Sequence, residues 1–157
     1  MNDFSFVWEE PTSLAAELSK PLRRVSVQFA SHGWPMYITL WRFDGTGLRL
    51  HSEMHDVAER IEVGVLNFSY VFVPAVDETV VDIDVAFGCQ LAVSKLIIHE
   101  SGTNAESGVI LEASNGDQIV IVPNAFPCHL AIRGVPSIPN IFEPEYPVDR
   151  YTRVPIA

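Results

Sequence analysis

Apolar and polar residues alternate along much of the chain, and a period of two is typical of β-strands with one buried face. The first three runs of this kind cover residues 25–29, 36–41 and 48–51. Asp44 and Gly45 stand between the second run and the third, and this dipeptide favours a hairpin turn. The pattern predicts antiparallel strands from the start of the main body.

The longest β run covers residues 61–73. Its apolar positions are odd-numbered as far as Val65 and even-numbered from Leu66 onward. A one-residue slip of this kind beside Gly64 predicts a β-bulge, or a strand that bends between two sheets.

Three further segments follow this run. Residues 81–85 alternate again, and we expect Asp82 and Asp84 to face solvent. Residues 93–99 contain three consecutive aliphatic residues, which indicate a strand covered on both faces. The polar residues 99–108 predict a mobile loop.

Residues 109–122 contain the clearest hairpin. Asn115 and Gly116 tolerate the positive φ values of a type I′ turn, and aliphatic runs flank them on both sides. All of these segments together give about eight or nine strands at short spacing. The predicted fold class is mainly β, as an antiparallel β-sandwich or a distorted barrel.

The two ends of the chain break the β pattern. Thr12 or Ser13 can cap one short N-terminal helix in which Leu14 and Leu18 share a face, and Pro21 ends it. Five of the eleven prolines lie within the last 22 residues. This concentration predicts an extended Pro-rich C-terminal tail, packed on its own chain or on a second copy.

The composition fits one globular domain. Of the 157 residues, 48% are apolar and 19% are charged. A chain of this length and composition buries a core without disulfides or a structural metal. We expect a single β-rich domain over residues 1–157, with an N-terminal segment at 1–21, a β body at 22–135 and the tail at 136–157.

Charge and cysteine content narrow the class of protein. Ten basic and twenty acidic residues give a net charge of -10, which opposes phosphate contacts, so we expect no nucleic-acid partner. Cys89 and Cys128 lack the spacing of a zinc site and are too few for a disulfide framework. Neither a signal-peptide pattern nor a run of about 18 apolar residues stands in the sequence, so we expect a cytoplasmic protein without membrane contact.

The charged residues are unevenly distributed. Residues 53–84 carry eight acids and one base, whereas residues 20–49 carry five bases and one acid. Cross-strand pairing between the two segments would absorb this asymmetry. Exposure of the acidic strands on one face would instead form a patch that steers a basic protein. The candidate residues for partner binding are Asp77, Glu78, Asp82, Asp84, Trp34 and Tyr146.

Residues with metal-ligating side chains cluster at 51–59. On a strand, His51, Glu53 and His55 point to one face, with successive side chains about 7 Å apart. Imidazole and carboxylate ligands suit zinc, manganese or iron. The alternative is a solvated strand face, with Leu48 and its even-numbered neighbours facing the core.

Two regions together weakly resemble the two motifs of the cupins, a family of small metal-binding β-barrels. In order along the chain, the matching residues are Gly47, Glu53, His55, Glu59 and Gly64 for the first motif, and Gly116, Asp117, Pro123 and His129 for the second. One histidine of the first motif is missing, and Glu53 takes its place. The resemblance implies a divalent metal held by His55, Glu59 and His129. With His51 added from the strand pattern, the metal candidates are His51, Glu53, His55, Glu59 and His129.

No complete catalytic constellation stands in the sequence. Cys128 adjoins His129, but neighbours on a strand point apart, and the hydrolase elbow and dinucleotide-binding motifs do not occur. The leading expectation is a non-catalytic acidic β-domain that needs no cofactor and acts through a protein partner or by self-association. The alternative is a cupin-like metal-dependent enzyme or metal-binding protein.

Overall fold

The computed structural model describes residues 3–77, 79–134 and 142–157, apart from the side chain of Ala86. Within those residues the chain forms ten β-strands, one α-helix (α1, Leu14–Leu18) and one 3-10 turn (Val148–Arg150). None of the described helices has the length and apolar character needed to cross a membrane. The strands are β1 Leu22–Phe29, β2 Pro35–Arg42, β3 Gly47–Ala58, β4 Ile61–Val71, β5 Val80–Phe87, β6 Ala92–Glu100, β7 Thr103–Glu112, β8 Gln118–Pro123, β9 Leu130–Arg133 and β10 Thr152–Pro155.

The strands form two antiparallel five-stranded sheets. The first has the order β4-β3-β2-β1-β5, and the second has the order β10-β6-β7-β8-β9. The prediction of a mainly β, antiparallel fold with a single short helix is confirmed. The predicted eight or nine strands omit β10, which forms inside the Pro-rich tail. A strand that contains Pro155 is possible because β10 is an edge strand, where this residue needs no N–H to pair with a neighbouring strand.

Residues 99–108 form strands rather than the predicted mobile loop. Only Ser101 and Gly102, at φ values of 52° and 75°, turn the chain between β6 and β7. The start of β7 pairs with β6 on one side. On its other side lies the N-terminal segment, where the Phe4 carbonyl accepts the Glu106 N–H at 2.8 Å. Pairing on both sides explains why so polar a stretch becomes a strand.

The hairpin between β7 and β8 forms where the sequence predicts it. Gly116 has a φ of 92°, but Asn115 does not adopt a positive φ, so the turn is not of type I′. The Asn115 side chain instead accepts the N–H of Asp117 at 3.0 Å. The Asn-Gly pair therefore predicts the hairpin correctly, although by a different turn geometry.

The helix α1 begins and ends where the sequence predicts. Ser13 caps it with its side chain, and the buried Glu17 receives hydrogen bonds from Arg42 at 2.9 Å and from Tyr70 at 2.8 Å. Burial, the largest single influence, raises the pKa of Glu17. The hydrogen bonds from Lys20, Tyr70 and Arg42 together outweigh it, so the pKa lies below its ordinary value. A buried ion pair thus fixes the helix to β2.

Side chains from both sheets share one apolar core. Leu40 and Leu50 of the first sheet and Leu111 and Ile121 of the second are among its buried members. The apolar faces predicted from the period of two in β2 and β3 are therefore the buried faces. Burying each such side chain contributes about 1.5–3 kcal/mol.

The strand β4 is buried on both faces. Leu66 and Phe68 lie in the shared core, whereas Val63 and Val65 lie in a second apolar cluster. The pairing of β4 with β3 is continuous through Gly64, so the predicted bulge beside Gly64 is wrong. The apolar positions change phase because two faces are covered, not because the strand slips.

Gly64 lies where several parts of the chain meet. A Cβ atom at this position would stand 2.5 Å from the Cβ of Pro123 and 2.9 Å from the Ser52 hydroxyl. The Gly64 carbonyl accepts the hydroxyl of Ser107 at 2.7 Å, and its N–H donates to the carboxyl of Glu145 at 3.1 Å. These contacts join β4 to β8, to β7 and to the tail.

We expect Gly64→Ala to lower the free energy of unfolding by about 1–3 kcal/mol, because the added methyl group meets the rigid ring of Pro123. Gly88→Ala is the matched control, since nothing lies within 4 Å of a Cβ at Gly88. Urea unfolding of both variants measures the difference. Equal loss of stability in the two variants would contradict a close β4–β8 contact.

The described part of the tail, residues 142–157, packs on its own chain. β10 pairs with β6, the Glu145 N–H donates to the Pro123 carbonyl at 2.9 Å, and Tyr146 packs against the second apolar cluster. The predicted tail also includes residues 136–141, which lie outside the described residues. The extended tail as a whole stays a prediction.

The carboxyl group of Glu145 lies in an apolar setting at this junction. Burial, the largest cause, raises the pKa of Glu145 to about 7; the hydrogen bond from Gly64 opposes the shift, and the charge of Glu62 adds to it. Between the ordinary value of 4.5 and about 7, the folded state holds a proton that the unfolded chain has released. Stability should therefore fall as the pH rises through this interval.

We expect the free energy of unfolding to fall by about 1–3 kcal/mol between about pH 5 and pH 8. Glu145→Gln keeps an acceptor for the Gly64 N–H but cannot ionise, so it should remove most of this fall. Glu143→Gln, at an exposed neighbouring position, is the control and should keep it. Urea midpoints at both pH values measure the effect. If Glu145→Gln kept the full fall in the free energy of unfolding, groups other than Glu145 would be its cause.

Candidate functional site

The strand β5 is an edge of the first sheet and carries aspartates on its outer face. Asp82 and Asp84 are exposed, as predicted, and Ile83 between them is buried in the shared core. Asp77, three residues before the strand, is also exposed. Glu78 lies outside the described residues. Two of the predicted partner-binding residues therefore share one strand face, and a third precedes them.

Hydrogen bonds hold two of these carboxylates in place. The buried indole of Trp41 donates to Ser26 Oγ at 3.0 Å, and Ser26 in turn donates to Asp82 at 2.5 Å. Asp77 accepts both the hydroxyl and the N–H of Thr79. These two bonds, the hydroxyl first, lower the pKa of Asp77. The charged edge is thus presented in a defined geometry.

The acidic strands do not pair with the basic segment that precedes them. Among the described residues, the acids of segment 53–84 form a single ion pair, between Glu53 and His51 at 3.5 Å. Arg24 is the register partner of Asp84, yet these two side chains form no ion pair. Cross-strand pairing therefore does not absorb the charge asymmetry.

The acidic residues form two groups, and the expectation of one patch is wrong. Asp56, Glu59 and Glu62 lie at the β3–β4 hairpin, whereas Asp82 and Asp84 lie on β5 at the opposite edge of the sheet. Three strands separate these edges, a distance of about 19 Å at the usual strand spacing. Asp56 and Glu62 are register partners, and such a like-charge pair destabilises the hairpin.

Exposed apolar side chains lie on β5 and along the connection that leads to it from β4 at the opposite edge of the sheet. The connection from β4 to β5 exposes 69% of Phe72, 77% of Val73 and 94% of Val76, and Val81 of β5 is 41% exposed. Ala75 of this connection lines a small cavity with residues of β1, β2 and β3, so the connection crosses the outer face of the sheet. The edge therefore combines apolar surface with unpaired carboxylates.

The two predicted aromatic anchors lie on different parts of the fold. Trp34 is half-buried in the β1–β2 turn, where its carbonyl accepts the Ala30 N–H. That turn follows the end of β1, which is bonded to Thr79 just before β5. Tyr146 lies in the tail, 6.3 Å from Tyr151 between ring centroids, and burial is the main cause that raises its pKa to about 12. Only Trp34 lies towards the β5 side.

Three of the predicted metal ligands lie along β3. His51 Nε2 lies 3.5 Å from a carboxylate oxygen of Glu53 and 3.2 Å from the side-chain amide of Asn67. A hydrogen bond from Asn67 is the largest cause that lowers the pKa of Glu53. His55 lies outside this group, because its ring stacks on Phe4 at 4.5 Å.

His129 lies in the connection between β8 and β9. Its Nδ1 donates to the Pro127 carbonyl at 2.8 Å, and its ring centroid lies 4.6 Å from that of His32. His32, His51, Cys128 and His129 line one open cavity of about 530 Å³, which we call the histidine cavity. The structure therefore brings two predicted ligands, His51 and His129, to one cavity.

The five predicted ligands are not gathered into one metal site. Within residues 3–77, 79–134 and 142–157, no group of three or more His, Cys, Asp or Glu side chains is arranged to hold a metal ion. Glu59 is exposed in the β3–β4 turn. Metal binding through His51 and His129 stays a prediction.

Comparisons with protein-family models, with curated proteins and with solved structures give no match. The resemblance to the cupins thus rests on its motif residues alone. The function has to be inferred from the surfaces described above.

Sequence reasoning missed His32, Ser52 and the backbone of Cys128. Cys128 has a φ of 65°, a left-handed conformation that is uncommon for a residue with a side chain. Cys128 lies in the connection between β8 and β9. The buried side chain of Asn124 fixes that connection by donating to the Leu130 carbonyl at 3.1 Å. Pro123 at the end of β8 and Pro127 in the connection signal a tight turn in the sequence. They do not signal that the turn lies beside the first sheet.

Metal titration tests the remaining metal hypothesis. We expect zinc, manganese and iron to leave the melting temperature unchanged, because the described residues offer no group of three ligands. A stabilisation that both His51→Ala and His129→Ala abolish would establish the metal site instead. His99→Ala is the control, since His99 is exposed and lies outside the histidine cavity.

Proposed function

We propose that this chain is a non-catalytic acidic β-domain that binds a basic segment of another protein along β5. The observation that supports this most directly is the pair Asp82 and Asp84, which are exposed on an edge strand and form no ion pair among the described residues. Carboxylates in this state attract cationic partners and accelerate their association.

The edge offers backbone groups as well as charge. β5 is the last strand of the first sheet and pairs with β1 on its inner side. No described strand pairs with its outer side, and the N–H and C=O groups there could accept an extended peptide as a further strand. Lys or Arg at alternate positions of that peptide would lie beside Asp82 and Asp84. Val81 of β5 itself, 41% exposed, supplies apolar contact.

A second copy of the chain fits this edge less well than a basic partner. Antiparallel pairing of two β5 strands about Ile83 places Asp82 opposite Asp84 of the other copy. Like charges directly opposite each other destabilise a sheet. The same aspartates therefore discourage self-association and favour a cationic strand.

The proposal also covers the architecture of the chain, its location in the cell and the class of partner. We infer a β-sandwich, because both sheets contribute side chains to the shared core, and we infer a single domain over residues 1–157. A cytoplasmic location is supported by Cys89 and Cys128, which are both unpaired and exposed. Nucleic acid is not a partner in this proposal, since exposed carboxylates repel phosphate.

We expect the double variant Asp82→Asn with Asp84→Asn to bind a basic peptide about threefold to tenfold more weakly, the effect of two exposed charge pairs. Asparagine keeps an acceptor for the Ser26 hydroxyl, so the strand should stay intact. The probe is a labelled peptide of alternating Lys and Val, and fluorescence anisotropy measures its dissociation constant. Raising the salt from about 25 mM to about 300 mM should weaken binding to the unchanged protein.

Two controls separate edge binding from a general charge effect. Glu143→Gln with Asp149→Asn removes the same charge from exposed positions in the tail and should leave binding within about twofold. A peptide with proline in place of valine keeps its charge but cannot add as a strand, and it should bind markedly more weakly. Equal binding of both peptides, or equal weakening in both double variants, would contradict the proposal.

A further inference from the structure

An open recess lies at the end of the first sheet where β5 stops, and we call it the Phe43 recess. Its volume is about 530 Å³. Gly88 directly follows β5, and Leu22 of β1 is the register partner both of Phe87 in β5 and of Arg42 in β2. The recess therefore adjoins the proposed partner edge at the C-terminal end of β5. The described residues that line it are Lys20, Pro21, Arg42, Phe43, Asp44 and Gly88.

The charged groups of this lining already have partners within the chain. The Arg42 guanidinium is bonded to Glu17 and Thr46 at distances between 2.7 and 3.2 Å. Lys20 Nζ lies 2.9 Å from the Glu17 carboxylate. The Asp44 carboxylate accepts both the N–H and the hydroxyl of Thr46. Because each ionic group is engaged in this way, the recess does not select a charged ligand.

The surface left free in the Phe43 recess is mostly apolar. Phe43 exposes 59% of its surface, and Pro21 lines the recess with it. Gly88 adds no side chain, and a Cβ atom there would meet nothing within 4 Å. Aromatic rings bury a large apolar area and pack on one another edge to face or with an offset. An aromatic side chain therefore fits this recess best.

The hydrogen bonding of β5 defines which of its backbone groups are free. The Phe29 N–H donates to the Thr79 carbonyl at 2.9 Å, and the register of β1 and β5 continues from that pair along β5. Since bonded and non-bonded pairs alternate along an antiparallel ladder, the backbone groups of Asp82 and Asp84 point away from β1. A partner residue opposite either aspartate is therefore hydrogen-bonded to it, with its side chain on the same face.

Charge along the edge sets the polarity of the partner strand. Asp82 lies near the start of β5, whereas the base Lys20 lies at the recess beyond its end. Arg24, opposite Asp84 on β1, lies over the Trp41 ring at 5.8 Å from its centroid. Basic residues of a partner are thus favoured towards the start of β5, and an uncharged residue is favoured at its end.

Spacing along β5 relates the recess to the aspartates. Gly88 follows Asp84 by four residues and Asp82 by six, which is about 13 Å and about 20 Å at the rise of a strand. All paired strands of this sheet are antiparallel, and antiparallel pairing is the more stable kind. In an antiparallel partner, the residue that reaches the recess stands about four positions before the residue opposite Asp84.

We propose that the partner strand of β5 carries an aromatic residue that fills the Phe43 recess, about four positions N-terminal to the first of two alternating basic residues. The basic residues lie opposite Asp84 and Asp82, and the strand runs antiparallel to β5. This inference rests on the proposed function, because the same strand occupies both sites.

Two peptides of identical composition test the order of these groups. The first has the sequence Trp-Thr-Val-Thr-Lys-Val-Lys, and the second is its reverse. Acetylated and amidated ends remove the terminal charges from both. Isothermal titration calorimetry on the full chain should give the first peptide a dissociation constant about fivefold to tenfold lower than the second. Replacement of its Trp by Thr should remove this advantage.

Phe43→Ala is the decisive variant. It should weaken binding of the first peptide about fivefold to tenfold, and it should leave binding of the peptide without Trp within about twofold. Phe126→Ala is the matched control, since Phe126 is 46% exposed and lies outside the recess, and it should bind like the unchanged protein. Both urea midpoints should stay close to that of the unchanged protein, because both rings are exposed.

The outcomes separate this inference from the proposed function. Equal binding of the two peptides, tighter binding of the reverse peptide, or unchanged affinity in Phe43→Ala would overturn the inference, even where Asp82→Asn with Asp84→Asn still weakens binding. Absence of salt-dependent binding by both peptides would contradict the proposed function, and the inference with it.

Discussion

The close contact between β4 and β8 at Gly64 is the constraint on which the rest of the structure depends. Glycine lets the Pro123 ring occupy the space that a side chain would fill. Because β4 approaches the second sheet at this point, its two faces serve two apolar clusters. The tail is attached to the same residue, since the Glu145 carboxyl accepts the Gly64 N–H. One residue without a side chain therefore joins the first sheet, the second sheet and the C-terminal segment.

Local features of the fold could be predicted from the sequence, and features set by distant partners could not. The strands, the Asn-Gly hairpin and the Ser13 cap follow from the period of two and from short-range turn and capping chemistry. The phase change in β4 has two explanations that no local pattern separates, a slip or burial on both faces. The early part of β7 becomes a strand through pairing with the N-terminal segment around Phe4, which lies about 100 residues away in sequence.

The candidate sites show the same division. The sequence reveals the acids of residues 53–84, but the strand order that separates Asp56 from Asp84 by the width of the sheet is a property of the topology. The exposure of Asp82 could be predicted from the alternation of apolar and polar residues along β5. Its lack of an ion pair among the described residues could not. The meeting of His51 with His129 depends on where the β8–β9 connection turns. Acidic charge is thus concentrated towards the two edges of the first sheet.

The hydrogen-bond chain from Trp41 through Ser26 to Asp82 has an optical consequence. The indole is 5% exposed, so quenchers in water reach it poorly, and its N–H points along the chain that ends at the sheet edge. A cation that arrives beside Asp82 alters the electric field at that ring, and tryptophan emission responds to such fields. In a variant that lacks Trp8 and Trp34, the emission of Trp41 is therefore expected to report events at β5 without any attached label.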